Sequence, residues 1–307
     1  MNTLLIIDGN AVMHRAYHAI PSFRTKSGIP TNALYGFFSI LYKAIIDFNP
    51  THLAISFDTP AETFREKIYK DYQAQRPQAE DDFIVQIPNI RNAVDAAGFF
   101  KLEKDGYEGD DIIGTLAAKA KLRDFKVLIF SGDKDILQLV CKNVFVISPQ
   151  NNFNINILYD ESKVIEKLSM KPDKIPELKA LTGDPSDNYP GAKGIGPKTA
   201  VSLLKEFDSL DNLYQNIDHV KNDRIKKILI DNKDNVFLSK KLATIITDVD
   251  LNINLDLAKY QGLNESLKNY LLQFEMYSLV NRLYKKKKEL PMEKKIKKVP
   301  ENQIGLF

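Results

Sequence analysis

The amino-acid sequence predicts an α/β protein, a mostly parallel sheet with flanking helices, continued by a mainly helical region. Three observations predict it. Short apolar runs alternate with segments whose apolar residues recur at helical spacing. The runs are apolar throughout rather than at every second position, as in parallel strands buried on both faces. After about residue 160 the runs cease and short helical segments with brief links follow.

The first strand is expected at 3–7 and ends at Asp8. Helices are expected at 11–17 and 32–48, the second stopped by Asn49-Pro50. A second strand at 52–57 ends at Asp58. Residues 60–80 are polar and aromatic with poor periodicity. A helix at 83–97 stops at Gly98, and one at 109–121 carries apolar residues at 112, 113, 116, 117 and 120. A third strand at 126–130 runs into Ser131-Gly132-Asp133, and a fourth is expected at 143–147. Short helices follow at 161–168, 175–181, 197–207, 210–214 and 224–231, and a last helical stretch at 264–284.

Composition narrows the chemistry. The 307 residues hold 44% hydrophobic and 27% charged residues, an ordinary globular balance. One Cys, Cys141, excludes a disulfide framework and a multi-Cys zinc site, and four His without paired spacing argue against a His-based one. The N-terminal apolar run is too short for a signal peptide and no stretch suits a bilayer span, so an intracellular, soluble protein without membrane contact is expected. The net charge of +3 is uneven, because nine Lys and Arg against three Glu lie from residue 281 onward. Such a basic tail suits a polyanion; a merely solvated run is the plainer alternative.

Asp8, Asp58 and Asp133 each follow a predicted parallel strand, and ligand sites of open parallel sheets lie at the carboxyl ends of strands. More acids cluster in Glu108-Gly109-Asp110-Asp111, Asp133-Lys134-Asp135 and Asp184-Pro185-Ser186-Asp187. Taken singly, each reads as a helix cap or turn residue. Nine carboxylates brought together would repel, with few Arg beside them in sequence. Hard divalent cations relieve that conflict, and a pair of them ~3.5–4 Å apart can activate water for phosphodiester hydrolysis.

With these residues in view the sequence resembles a known family. Ile7-Asp8-Gly9-Asn10, Phe57-Asp58, Tyr107-Glu108-Gly109-Asp110-Asp111, Ser131-Gly132-Asp133-Lys134-Asp135, Thr182-Gly183-Asp184-Pro185-Ser186-Asp187-Asn188 and Gly194-Ile195-Gly196-Pro197-Lys198-Thr199 occur in order. Over about residues 3 to 280 the chain resembles the 5′–3′ exonuclease domain of bacterial DNA polymerase I, within the flap endonuclease family. The resemblance implies a PIN-like domain at 1–160 with an arch at about 60–80, a helical DNA-binding domain with a helix-hairpin-helix-like motif at 161–284, and a flexible basic tail at 285–307. It implies a first metal set of Asp8, Asp58, Glu108, Asp110 and Asp111, and a second of Asp133, Asp135, Asp184 and Asp187. Two or more Mg²⁺ or Mn²⁺ ions would act there, with K⁺ held by carbonyls of the 194–199 loop. The implied activity is cleavage of 5′ flaps and 5′ ends, and removal of RNA primers, by a cytoplasmic, nucleoid-associated monomer.

The resemblance assigns further roles. Lys193, Gly194, Gly196, Lys198 and Thr199 are expected to hold duplex phosphates, as the start of a helix attracts anions; a plain turn is the commoner origin of such glycines. In the arch, Arg65, Tyr69, Lys70, Tyr72 and Arg76 alternate cations and rings, as a single-strand platform requires, or else form a solvated helix with an aromatic core face. Lys70, Tyr72 and Arg76, with Arg15, are expected at the scissile phosphate, and Tyr17 near the DNA. The family usually carries Lys after the Tyr of this run; here Tyr72 is followed by Gln73, which can hydrogen-bond but adds no charge. At the C-terminus, Gln303, Ile304, Leu306 and Phe307 resemble the peptide that binds the bacterial sliding clamp. Two other readings stand beside the nuclease: a catalytically weak DNA-junction binder recruited by the clamp, which Gln73 keeps open, and a PIN-type ribonuclease, against which the length and the 194–200 motif argue.

Overall fold

The computed structural model describes residues 1–150 and 156–285. Its sheet has six strands, β1 (Thr3–Asp8), β2 (His52–Ser56), β3 (Phe100–Leu102), β4 (Lys126–Phe130), β5 (Val144–Pro149) and β6 (Asn156–Tyr159), in the order β3-β2-β1-β4-β5-β6. All neighbours pair in parallel except β5 and β6. The four expected strands are present. β3 and β6, which periodicity missed, are the edge strands, three and four residues long and largely half-buried, too short to display a pattern.

The helices of the sheet region are α1 (Gly9–Ala19), α2 (Asn32–Phe48), α3 (Phe64–Ile68), α4 (Asp81–Ile84), α5 (Gln86–Ala96), α6 (Gly109–Lys121) and α7 (Glu161–Leu168). The predicted 83–97 helix is thus two pieces; Pro88 falls in the first turn of α5, where a missing N–H costs no helical bond. Alternate strand residues feed two cores. Leu5, Ile7, Leu53, Ile55 and Leu128 face α1, α2 and α5. Leu4, Ile6, Ala54, Val127 and Ile129 face α6. That alternation is the period-two geometry of a strand applied to a sheet covered on both sides.

Beyond α7 come α8 (Ile175–Thr182), α9 (Pro197–Phe207), α10 (Leu210–Gln215), α11 (Asp223–Asp231) and α12 (Lys233–Ala243), gathered around a third core that includes Leu181, Leu204, Leu213, Leu229 and Val236. α12 was absent from the sequence reading. The stretch expected as one helix at 264–284 is two, α13 (Glu265–Gln273) and α14 (Tyr277–Tyr284), parted at Glu275, whose φ of 58° is left-handed. Their Leu267, Leu271, Leu279 and Leu283 bury into the first sheet core rather than the helical one. The helical region expected at 161–284 therefore divides, because these apolar faces find their partners on α5 and α2. No helix among the described residues is long and apolar enough to cross a membrane.

Candidate metal centre

Parallel pairing brings the carboxyl ends of β2, β1 and β4 side by side. Asp8 ends β1, Asp58 lies two residues beyond β2, and Asp133 three beyond β4. The start of α6 abuts the same edge. Together they open on a cleft of about 360 Å³ lined by Asp8, Asp58, Glu108, Asp110, Asp133, Asp135 and Asp187. Seven of the nine expected acids thus face one space.

Each acid is aimed by its neighbours. Asp8 caps α1, accepting from the Ala11 amide at 2.9 Å, and its other oxygen accepts from the buried Ser131 hydroxyl at 2.6 Å. Gly9 must be glycine, since a Cβ there would lie 2.3 Å from the Phe57 ring. Asp58 accepts from Asn10 Nδ2 at 2.6 Å and from the Gly109 amide at 2.5 Å, so α1 and α6 both fix it. Asp133 Oδ1 accepts from the Asp135 amide at 2.7 Å. The 183–191 loop that carries Asp184 and Asp187 is pinched shut by two glycines. A Cβ on Gly191 would fall 2.2 Å from the Gly183 nitrogen, and both residues have positive φ.

Crowding acids into a sheltered cleft makes their ionisation costly. Burial pushes the Asp8 carboxyl up to about 6, with repulsion from Asp58 and Asp133 adding to it. Burial pushes Glu108 up to about 7 against the pull of Arg65. Asp135 rises to about 6 for the same reason, opposed by Lys179. Asp110 lies well above the usual carboxylate range, through burial and then repulsion from Asp133, Asp8, Glu108 and Asp58. Asp58 is raised too. Among the described residues no ion pair reaches Asp8, Asp58, Asp110 or Asp133. An all-oxygen cleft in which these four of the seven acids have no paired cation has the donor chemistry of a hard divalent cation site. Two buried hydroxyls beside these acids, Thr59 in the cleft and Tyr189 next to Asp135, Asp184 and Asp187, have no hydrogen-bond partner. Such groups suit water held around an ion.

Several expected residues fall elsewhere. Asp111 is a correction to the first set: it is fully buried, and its two oxygens are taken by Arg65 at 2.7 and 2.9 Å. Arg65 is a correction to the DNA contacts. Its guanidinium is 2% exposed, lies 3.1 Å from Glu108 and also donates to the Leu242 and Thr244 carbonyls. Asp184 does not line the cleft itself but stands with Asp135 and Asp187, one oxygen of each within 4.8 Å of the others. Arg15 turns away from the acids to the carbonyls of Pro149 and Gln150. Tyr17 donates to Glu80 at 2.6 Å. Lys70 is exposed and pairs with Glu62 at 2.8 Å, apart from the cleft. Tyr69 packs beside a small cluster of Tyr72, Tyr189 and Leu242.

Tyr72, Gln73 and Arg76 do border the cleft. Tyr72 is buried, its hydroxyl 3.4 Å from Glu108 and 3.5 Å from Asp187, and burial with those charges holds the phenol protonated. Gln73, at a left-handed φ of 56°, reaches Glu108 with its side-chain amide at 3.4 Å and donates its backbone N–H to the Asp187 carbonyl. Arg76 pairs with Asp187 at 2.7 Å. Gly196 caps α9 ahead of Pro197, and Lys193, Gly194, Gly196 and Lys198 are exposed while Thr199 is half-buried. The sequence reading missed Asn10, Ser131 and Lys179. Asn10, two residues past a strand-terminal Asp, had a local signal. Ser131 and Lys179 reach their carboxylates only through the fold. The expected clamp peptide at 303–307 lies outside the described residues.

Comparisons with known proteins show the family and the fold. Two family models match, the 5′–3′ exonuclease N-terminal resolvase-like domain over residues 3–169 and the 5′–3′ exonuclease C-terminal SAM fold over 170–266. A 5′–3′ exonuclease of Aquifex aeolicus is 42% identical over 289 residues, 93% of this chain and 96% of that protein. A DNA polymerase I of Caldicellulosiruptor bescii is 41% identical over 283 residues, 91% of this chain, which spans 33% of that longer protein. Among solved structures, the bacteriophage T5 D15 flap endonuclease, in a pseudo-enzyme–product complex with DNA and metal ions, shares the fold. Its TM-score is 0.67 at 18% identity, over 91% of this chain and 100% of that one.

Proposed function

The chain belongs to the 5′–3′ exonuclease family, and from that premise we propose that it hydrolyses phosphodiesters at 5′ ends and 5′ flaps of DNA, and in RNA primers paired to DNA, with divalent cations held by its carboxylates. The observation that carries this reading is the convergence of seven carboxylates on one cleft at the sheet edge. Asp8, Asp58, Glu108, Asp110 and Asp133 would hold one set of ions and Asp135, Asp184 and Asp187 another, with Mg²⁺ the favoured ion and Mn²⁺ its substitute. When bound, such ions lower the pKa of a water and stabilise the leaving oxygen.

The chain's own groups orient the substrate. Arg76 and Gln73 stand at the mouth of the cleft, where a scissile phosphate oxygen would meet a cation and an amide donor. Tyr72 stays a neutral donor between Glu108 and Asp187. The exposed amides at the start of α9, with Lys193 and Lys198, would grip duplex phosphates without reading bases. The backbone carbonyls of the 194–199 loop are candidates for a K⁺ ion in that grip. A monomer tethered to a sliding clamp through 303–307 and working at nascent DNA completes the proposal.

The test is cleavage of an end-labelled 5′-flap duplex in Mg²⁺ and in EDTA, by wild type and Asp133→Ala. Mg²⁺-dependent release of the flap, lost in the variant, is the expected result. Because Gln73 leaves the mouth of the cleft one cation short, a second reading is a junction binder with feeble turnover. Tight flap binding without Mg²⁺-dependent cutting would select it. Cutting of single-stranded RNA with no junction preference would point to a ribonuclease instead.

A further inference from the structure

The two carboxylate sets differ in how their charge is balanced. The inner acids Asp8, Asp58, Asp110 and Asp133 make no ion pair among the described residues, whereas the outer trio does. Lys179, on α8, reaches Asp184 Oδ2 at 2.5 Å and also pairs with Asp135. Arg76 takes Asp187 at 2.7 Å. Asp135 belongs to the turn after β4, and Asp184 to the loop after α8, so one ammonium ties the sheet to the helical region. Its side chain is 21% exposed, which shields the pairs from solvent. Three acids with oxygens within 4.8 Å of one another thus carry two internal cations and a single residual negative charge. The unpartnered Tyr189 hydroxyl, 3% exposed, faces the same trio.

We infer that Lys179 is a built-in stand-in for a divalent ion: its ammonium holds the outer carboxylates together before an ion arrives and sets their affinity below that of the inner set. The inference rests on the reading that both sets bind divalent cations. Its physical basis is additive. A positive charge a few ångströms from an incoming dication repels it, and in a partly buried site that repulsion weakens binding on the order of tenfold or more. Among the described residues the inner set meets a cation only at Glu108, through an Arg65 that Asp111 already holds by both oxygens, and it fills first. Lys179 acts through Asp135 and Asp184 and is a positioning residue, not one that touches the substrate.

Mn²⁺ binding to the full chain without DNA, followed by electron paramagnetic resonance, reads this directly. The wild type should show a tight class and a weaker one. Lys179→Met should tighten the weaker class tenfold or more, and Lys179→Arg, which keeps the charge, should leave it near wild type. A weaker class that is unchanged or loosened in Lys179→Met overturns the inference. Thermal melting covers the case of a poorly folded variant: in EDTA Lys179→Met should melt below wild type, and Mn²⁺ should raise its melting temperature by more. Equal Mn²⁺-induced shifts in the two proteins would likewise overturn it. A wild type that binds no Mn²⁺ at all overturns the metal reading itself, and this inference with it.

Discussion

Arg65 and Asp111 meet as a two-pronged pair, Nη1 to Oδ2 at 2.7 Å and Nη2 to Oδ1 at 2.9 Å, with almost no solvent access to either. The same guanidinium lies 3.1 Å from Glu108, and Asp111 Oδ1 also accepts from the Ile246 amide at 2.8 Å. The foot of the arch, the start of α6 and the chain leaving α12 are therefore joined at one buried charge pair. Arg65→Ala would strand a carboxylate and two carbonyls, and should cost about 3–5 kcal/mol of stability. Arg65→Met with Asp111→Leu should recover much of that loss. Urea denaturation of the three proteins checks it; a single variant as stable as wild type would show that the pair is not structural.

The raised carboxyls set the pH dependence of the metal-free protein. Asp8, Glu108 and Asp135 stand at about 6, 7 and 6 in the fold, above their ordinary values. Between those two sets of values the folded state keeps protons that the unfolded state has lost. Stability from these groups is therefore full at low pH and declines as pH rises through about 4 to 7. A divalent cation reverses the penalty, because it binds the ionised form. The gain in denaturation midpoint on adding Mg²⁺ should grow across that window. A gain that is flat with pH would mean the ions bind elsewhere.

Gln73→Lys places a cation beside Glu108 at the mouth of the cleft, where the amide now reaches 3.4 Å. The expected outcome is a several-fold higher single-turnover rate on a 5′-flap duplex. Arg76→Ala, which removes the cation already on Asp187, should lower it. An unchanged rate in Gln73→Lys would show that Arg76 alone supplies the charge the phosphate needs.

Lys193 and Lys198 are exposed around the start of α9. Replacing both with alanine should weaken binding of duplex DNA whatever its sequence and lower the slope of log affinity against log salt by about 2. Fluorescence anisotropy at several salt concentrations measures both, and an unaltered slope would place the duplex on another face.

Gly191→Ala would force a Cβ to within 2.2 Å of the Gly183 nitrogen at a φ of 58°. The loop bearing Asp184 and Asp187 must then open. We expect a loss of about 1–3 kcal/mol from backbone strain, with the steric clash adding to it. Metal binding to the outer trio should weaken, visible in the same Mn²⁺ titration. Native stability and affinity in this variant would mean the loop closes by other contacts.

Three of the four continuous apolar runs lead into an Asp, and that was sufficient to suggest three carboxylates on one sheet edge, since parallel strands share their direction. α12 and the break at Glu275 were not legible. α12 pairs lysines with a weak apolar stripe, and a left-handed residue leaves no mark on composition. Nor did local sequence reveal the partners of the acids: Ser131 meets Asp8 across 123 residues, and Lys179 meets Asp135 through the packing of α8 on the turn after β4.

By itself, then, the chain's residue order determined the α/β class, the strand ends and the reservoir of acids for a cation cleft. Which of those acids are free to use it was left to tertiary structure. Asp110 and Asp111 are neighbours in one motif, but successive residues of a helix point about 100° apart. One side chain therefore opens into the cleft, and the other turns inward to a guanidinium that the arch delivers from 46 positions away.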